Sequence, residues 1–228
     1  MKKFIAFMTL MLFICGMAVY ADEETEAVGI DGANERYIYF DNIELPFEDV
    51  LENAWYYPYV STAYEFGFLN GKSETLFDPN ANMTLAEAAK IAACISLYFS
   101  DEGYSFEGGN GKWYEPYVEY CYNSKIIDEH VHFEWEKAAT RSEMAYLFSR
   151  ADKGEYEPNP DVPLTDIPDV DEKTSFAENI LYLYRRGIAT GSDEYYTFYP
   201  NANVKRSEAA TFISRIICYD MRVDLPKG

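Results

Sequence analysis

One stretch of this chain occurs twice. Phe77-Asp78-Pro79-Asn80-Ala81-Asn82-Met83 returns as Phe198-Tyr199-Pro200-Asn201-Ala202-Asn203-Val204, 121 residues later. Upstream, Gly67-Phe68-Leu69-Asn70-Gly71 answers Gly187-Ile188-Ala189-Thr190-Gly191; downstream, Thr84-Leu85-Ala86-Glu87 answers Lys205-Arg206-Ser207-Glu208. A third, looser copy lies between them. Trp113-Tyr114-Glu115-Pro116-Tyr117-Val118 matches Trp55-Tyr56-Tyr57-Pro58-Tyr59-Val60, and Thr140-Arg141-Ser142-Glu143 closes it. Repetition at such a spacing constrains the fold more than any composition does, because a unit of roughly 55 to 60 residues that cannot bury its own apolar face must stack on its neighbours.

Each unit reads as helix, loop, helix. In the first helix apolar residues recur at three and four, as Trp55, Tyr59, Ala63 and Phe66, or as Ile180, Leu183, Tyr184 and Ile188. Gly67 and Gly187 stand where a left-handed cap ends a helix, and Gly71 and Gly191 follow four residues on. The middle copy has Lys125 and Glu129 at these positions, which predicts a loop built differently. Thr84-x-x-Glu87 and Thr140-x-x-Glu143 are capping boxes that start the second helix. Three such pairs can share one core, so the expected fold is a compact all-α array.

The N-terminus carries Lys2 and Lys3, an apolar run from Phe4 to Val19, and small residues before a cleavage point at Ala21, the pattern of a secretory signal peptide. The run is short for a membrane span and Asp22, Glu23 and Glu24 follow at once. Ile14 precedes Cys15 where lipidation needs a small residue, so Cys15 leaves with the signal. The segmentation is a signal peptide at 1–21, an acidic lead at 22–46, units at 47–101, 102–153 and 164–219, a proline-rich linker at 154–163 and a tail at 220–228. Cys94, Cys121 and Cys218 remain, an odd number among apolar helix residues, and are expected as buried free thiols.

The full chain has net charge −20 and loses two lysines with the signal. That balance excludes nucleic acid and anionic lipid as primary partners, while 21 Tyr and 15 Phe exclude a disordered acidic chain. Asp78-x-Asn80-x-Asn82 imitates a calcium loop but has Met83 where glycine is required. Asp166, Asp169 and Asp171 read as a solvated turn, and His130 and His132 lack a third ligand and read as surface residues. No acid pair stands out for glycoside cleavage. The reading is therefore of a non-enzyme with no catalytic residue, no metal and no cofactor.

The ordered motifs resemble the S-layer homology repeat: the opening aspartates in Phe47-Glu48-Asp49-Val50 and Ile167-Pro168-Asp169-Val170, the aromatic first helix, the Gly-x-x-x-Gly turn, the Phe-x-Pro loop and the Thr-Arg-Ala-Glu-like helix start. The resemblance implies three helix–loop–helix repeats in a pseudo-threefold spindle around a central helical bundle. It also implies grooves between repeats that bind secondary cell-wall polysaccharide, often an acidic, pyruvate-bearing sugar, and so hold an exported protein on the bacterial cell surface. On this reading Arg141 and Arg206 grip a sugar carboxylate bidentately. The helix-start residues Thr84, Thr140, Glu143 and Glu208, the turn residues Gly71, Lys72, Gly187 and Gly191, the opening residues Asp49 and Asp169, and Trp55 and Trp113 complete the expected site. Leu85 replaces the arginine in the first copy, leaving its groove to Lys72 or Lys90. Only the last copy keeps both glycines and the arginine, so one or two working grooves are expected. The alternative is a protein-interaction scaffold, or a small structural component of the surface layer, that contacts other envelope proteins and no sugar.

Overall fold

The computed structural model describes residues 44–100, 106, 111–155, 158–159 and 162–223. The signal peptide and nearly all of the acidic lead lie outside the described residues. The described chain is all-α, with six helices and two short 3-10 turns: α1 Tyr57–Glu65, α2 Leu85–Tyr98, α3 Glu115–Asn123, α4 Arg141–Ala151, α5 Ala177–Arg185 and α6 Arg206–Ile217, with 3-10 turns at Leu164–Asp166 and Tyr219–Met221. None of these helices is long and apolar enough to cross a membrane.

The odd helices are short, and two carry proline in their first turn, where the missing N–H costs nothing. All three end alike. Gly67, Lys125 and Gly187 are left-handed, with φ of 72°, 60° and 64°. The two amides after each cap converge on one carbonyl: Phe68 and Leu69 on Ala63, Ile126 and Ile127 on Cys121, Ile188 and Ala189 on Leu183. The middle loop therefore starts as the others do, against the sequence expectation, and Lys125 bears the left-handed strain of about 1 kcal/mol that glycine avoids. The difference comes later in the loop. An added Cβ at Gly71 would come within 2.5 Å of Phe47, and one at Gly191 within 2.4 Å of Tyr196. Glu129 stands at the aligned position in the middle unit.

Both threonine boxes form. Thr84 Oγ1 accepts from the Glu87 amide at 3.2 Å while Glu87 Oε2 accepts from the Thr84 amide at 2.8 Å, and Thr140 and Glu143 repeat this at 3.3 and 2.8 Å. The Lys205 ammonium has no acceptor to offer, so only the Glu208 half is made there, at 2.8 Å. The even helices are the buried ones. In α2, Ala88, Ala89, Ala92 and Ala93 are fully buried, which lets neighbouring backbones approach on more than one side.

Each odd helix packs on the second helix of another unit: α3 on α2, α5 on α4 and α1 on α6, while α2 and α4 also touch. The loops close the same circuit. The Met83 amide donates to Val204, Val204 to Ala139 and Ala139 to Met83, a ring of three hydrogen bonds of 2.8–2.9 Å among fully buried residues. Outside it, the first two amides of each even helix, which have no partner within the helix, donate to another unit's loop. Leu85 and Ala86 reach Lys137 and Trp135, Arg141 and Ser142 reach Ala202 and Pro200, and Arg206 and Ser207 reach Ala81 and Pro79.

One sequence expectation changes. Trp55 and Trp113 precede their helices and are 62% and 55% exposed, so Val60, Ala63 and Cys121 are the fully buried residues of α1 and α3. The segment after residue 219 is docked as far as it is described: the Val223 amide donates to Gly187 O, and the Arg222 guanidinium reaches the carbonyls of Arg215 and Ile216 and the carboxylate of Asp152. Cys94, Cys121 and Cys218 are free thiols, the first two buried and the third half-buried.

Candidate functional site

The opening aspartates brace the loops. Asp49 accepts from the amides of Phe77 and Asp78 at 2.8 and 2.7 Å, and Asp169 from those of Phe198 and Tyr199 at 2.8 and 2.7 Å. This fixes Asp78 and Tyr199 in the left-handed region and turns each phenylalanine inward, where it is fully buried.

The two arginines lie over those rings. Arg141 is 4% exposed, its guanidinium carbon 4.8 Å from the Phe198 ring centre, with Nε on Phe198 O at 2.5 Å and Nη1 on Glu208 at 3.2 Å. Arg206 is equally buried, 4.6 Å above Phe77, with Nε on Phe77 O at 2.9 Å, Nη2 on Asn70 O at 2.5 Å and Nη1 3.9 Å from Glu87. Burial pulls both guanidinium groups below their ordinary range while the facing glutamates act the other way. Each remains a cation. Arg141 is held by a carbonyl and a carboxylate and Arg206 by two carbonyls, joining the middle unit to the last and the last to the first. At the aligned position, Leu85 meets a middle loop that has no left-handed residue after Phe133.

Two clefts open on the surface, the first at a junction of units and the second within the last unit. The first, of about 390 Å³, lies between the first and middle units and is lined by Lys72, Asn82, Thr84, Ala86, Glu87, Lys112, Trp113, Tyr114 and Glu136. It brings together three of the expected site residues, Lys72, Thr84 and Trp113, with Arg206 behind Glu87. Lys72 pairs with Glu87 at 2.9 Å and Lys112 with Glu136 at 2.8 Å. Burial raises the Glu87 carboxyl, but the Thr84 amide and Lys72 outweigh it, so the group sits below the usual carboxylate range. Lys90 lies 5.7 Å from the Tyr117 ring and is not among the lining residues.

The second cleft, of about 470 Å³, is lined by Asp169, Lys173, Thr174, Ser175, Tyr199, Pro200, Asn201 and Ala202. Of the expected residues it contains Asp169. Trp55, Thr140 and Glu143 line neither cleft. Gly187 and Gly191 are there for their positive φ and for the close approach of Val223 and Tyr196.

Sequence reasoning missed Lys112, Glu87, Glu136 and Tyr199 as cleft residues. Alignment of the units carried a usable signal, since Lys112 and Glu136 form a charge pair where the last unit has Thr174 and Asn201.

The repeated order of aspartate brace, inward phenylalanine and capping glutamate lies within the two stretches that match a known family. Residues 46–89 and 166–210 match the S-layer homology domain. Between these two S-layer homology segments, the middle unit supplies one wall of the first cleft without a family match of its own. The chain is 28% identical over 172 residues to the S-layer protein sap of Bacillus anthracis, covering 74% of this chain and 21% of that protein. It is 25% identical over 177 residues to an endoglucanase of Bacillus sp. (strain KSM-635), covering 75% and 19%, and 29% identical over 116 residues to the surface-layer 125 kDa protein of Lysinibacillus sphaericus, covering 47% and 10%. The chain thus spans about a fifth or less of the length of these relatives. The S-layer homology segments and the S-layer relatives support attachment at the cell surface as the general role.

Proposed function

We propose that this is an exported protein held on the bacterial cell wall without a covalent bond, by secondary cell-wall polysaccharide bound between its units. On this reading the middle unit is a third, diverged S-layer homology repeat, and the three form a pseudo-threefold spindle. The ring of hydrogen bonds through Met83, Val204 and Ala139 supports that arrangement.

The observation that carries the binding reading is the first cleft. Lys72 and Lys112 flank an indole that is more than half exposed, and Arg206 stands behind. Both lysine ion pairs are solvent-exposed, and such pairs contribute about 0–1 kcal/mol. A sugar carboxylate, such as that of a pyruvate-bearing residue, can therefore replace Glu136 on Lys112 at small cost while a ring packs on Trp113. Buried Arg206 acts as part of the frame of the cleft and not as its finger.

The test is co-sedimentation of the purified protein with cell-wall sacculi before and after acid removal of their secondary polymer. Binding lost on stripping, and weakened about tenfold by the double substitution Lys112→Ala and Trp113→Ala with unfolding unchanged, is the expected result. Equal binding to intact and stripped sacculi, or to neither, would remove the polysaccharide reading and favour a protein partner.

A further inference from the structure

We propose that residues 219–223, which follow α6, form a strap over the seam between the last and first units, and that the strap lets go when the Glu65 carboxyl beside it ionises. The proposal is independent of what the protein binds.

The strap is tied to all three units. The Val223 amide donates to Gly187 O at 3.0 Å, and the two segments lie so close that a Cβ on Gly187 would come within 2.5 Å of Val223 O. Arg222 donates through Nε to Arg215 O at 2.7 Å and through Nη2 to Ile216 O at 3.2 Å, and stands 3.9 Å from Asp152 of the middle unit. Met221 reaches the first unit, where its sulfur accepts from Thr62 Oγ1 of α1 at 3.5 Å. Yet none of residues 219–223 is buried. A segment held by a few polar contacts and no buried side chain opens at lower free energy than the helices beneath it.

Glu65 ends α1 three residues after Thr62, on the face that meets Met221. Its Oε1 is buried without a hydrogen-bond partner. The groups of the adjoining elements do not favour a charge there. The end of α6 brings the Cys218 thiol, and the strap brings Asp220, which acts on that same thiol. The cations of these elements serve other groups. Arg215 donates to Ile188 O and the Tyr59 hydroxyl at 3.1 Å each, and Arg222 donates to the carbonyls named above, while Arg206 and Glu208 lie at the opposite end of α6. The C-terminal pole of α1 is itself negative.

Burial accordingly pushes the Glu65 carboxyl up to about 8. The closed form binds this proton more tightly than an exposed glutamate does. Its advantage is therefore complete below the ordinary value of 4.5 and is lost as pH rises to about 8. Lifting the strap returns the ionised group to water. Cys218 reports the event, because its half-buried thiol is pushed up to about 12 by burial, then by Glu65 and Asp220. Cys94 and Cys121 are buried in α2 and α3 and serve as internal controls.

The experiment follows reaction of the purified protein with dithiodipyridine at pH 5 and pH 8, with each modified cysteine identified by peptide mass. Comparing the parent with Glu65→Gln at one pH cancels the thiol's own pH dependence. At pH 8 Cys218 of the parent should react about tenfold faster than Cys218 of Glu65→Gln, and the ratio should fall towards one at pH 5. Met221→Ala, which removes the strap's contact with α1, should react faster than the parent at both. Equal rates for the parent and Glu65→Gln at pH 8 would overturn the trigger. An unchanged rate in Met221→Ala would overturn the strap. Reaction of Cys94 and Cys121 in step with Cys218 would mean unfolding of the whole and overturn both.

Discussion

Replacing Arg206 by alanine separates a structural arginine from a ligand-binding one. The side chain is 5% exposed and bridges sites more than a hundred residues apart. Its removal leaves Phe77 O and Asn70 O without their donor; the buried Phe77 O left unsatisfied costs about 1–3 kcal/mol, while Asn70, an exposed residue, can turn its carbonyl to water. The cation over the Phe77 ring adds about 1 kcal/mol. Glu87 loses little, since Lys72 and the Thr84 amide still hold it. The expected loss is about 2–4 kcal/mol, a large part of the roughly 5–15 kcal/mol typical of a folded domain. With a urea slope of about 2 kcal/mol per molar, the midpoint should fall by about 1–2 M. Arg206→Leu, which copies Leu85 of the first unit, keeps the packing on Phe77 and should lose less. Urea unfolding followed by tryptophan fluorescence measures both. An Arg206→Ala variant within 0.5 kcal/mol of the parent, but unable to bind sacculi, would refute the structural role and return Arg206 to the ligand.

Three other outcomes follow from single groups. Glu65, at the end of α1, has a buried carboxylate oxygen with no hydrogen-bond partner, and burial pushes its pKa up to about 8. Ionising it costs the folded state increasingly as pH rises from the ordinary value of 4.5 to about 8. Glu65→Gln should therefore stabilise the protein by about 1–2 kcal/mol at pH 7, after allowance for solvent screening, and by nothing at pH 4. Melting curves at the two pH values check this, and equal gains at both would contradict it. Lys125→Gly should raise stability by about 0.5–1 kcal/mol by relieving a left-handed lysine, read from the urea midpoint. Since the chain carries −20, association with an acidic wall polymer should quicken as salt screens the long-range repulsion, measurable by stopped flow. An on-rate that falls with added salt would contradict this.

The parts of the fold legible in the sequence are those whose causes lie within a few residues. Thr84 with Glu87 and Thr140 with Glu143 act across three positions, and Gly67 and Gly187 act on their own φ. Both survive in the structure unchanged. Trp55 and Trp113 show where the same method fails, because helical spacing gave no sign that each helix starts after its tryptophan. The candidate site was legible in the sequence as a set of positions, three of which the fold brings together. Lys72, Thr84 and Trp113 do meet in one cleft, whereas the two arginines read as ligand grips are inside the protein.

The repeating unit, its helix starts and stops, and the all-α class follow from residue order alone. Tertiary structure alone decided which unit each side chain serves. Arg206 belongs to the last unit by sequence, but its acceptor Phe77 O is 129 residues away in the first. The amides of Arg206 and Ser207, orphaned by the helix geometry, find carbonyls there too. Short-range signals specify that such donors exist and must be satisfied. Only closure of the chain, which brings the last unit against the first, specifies by what.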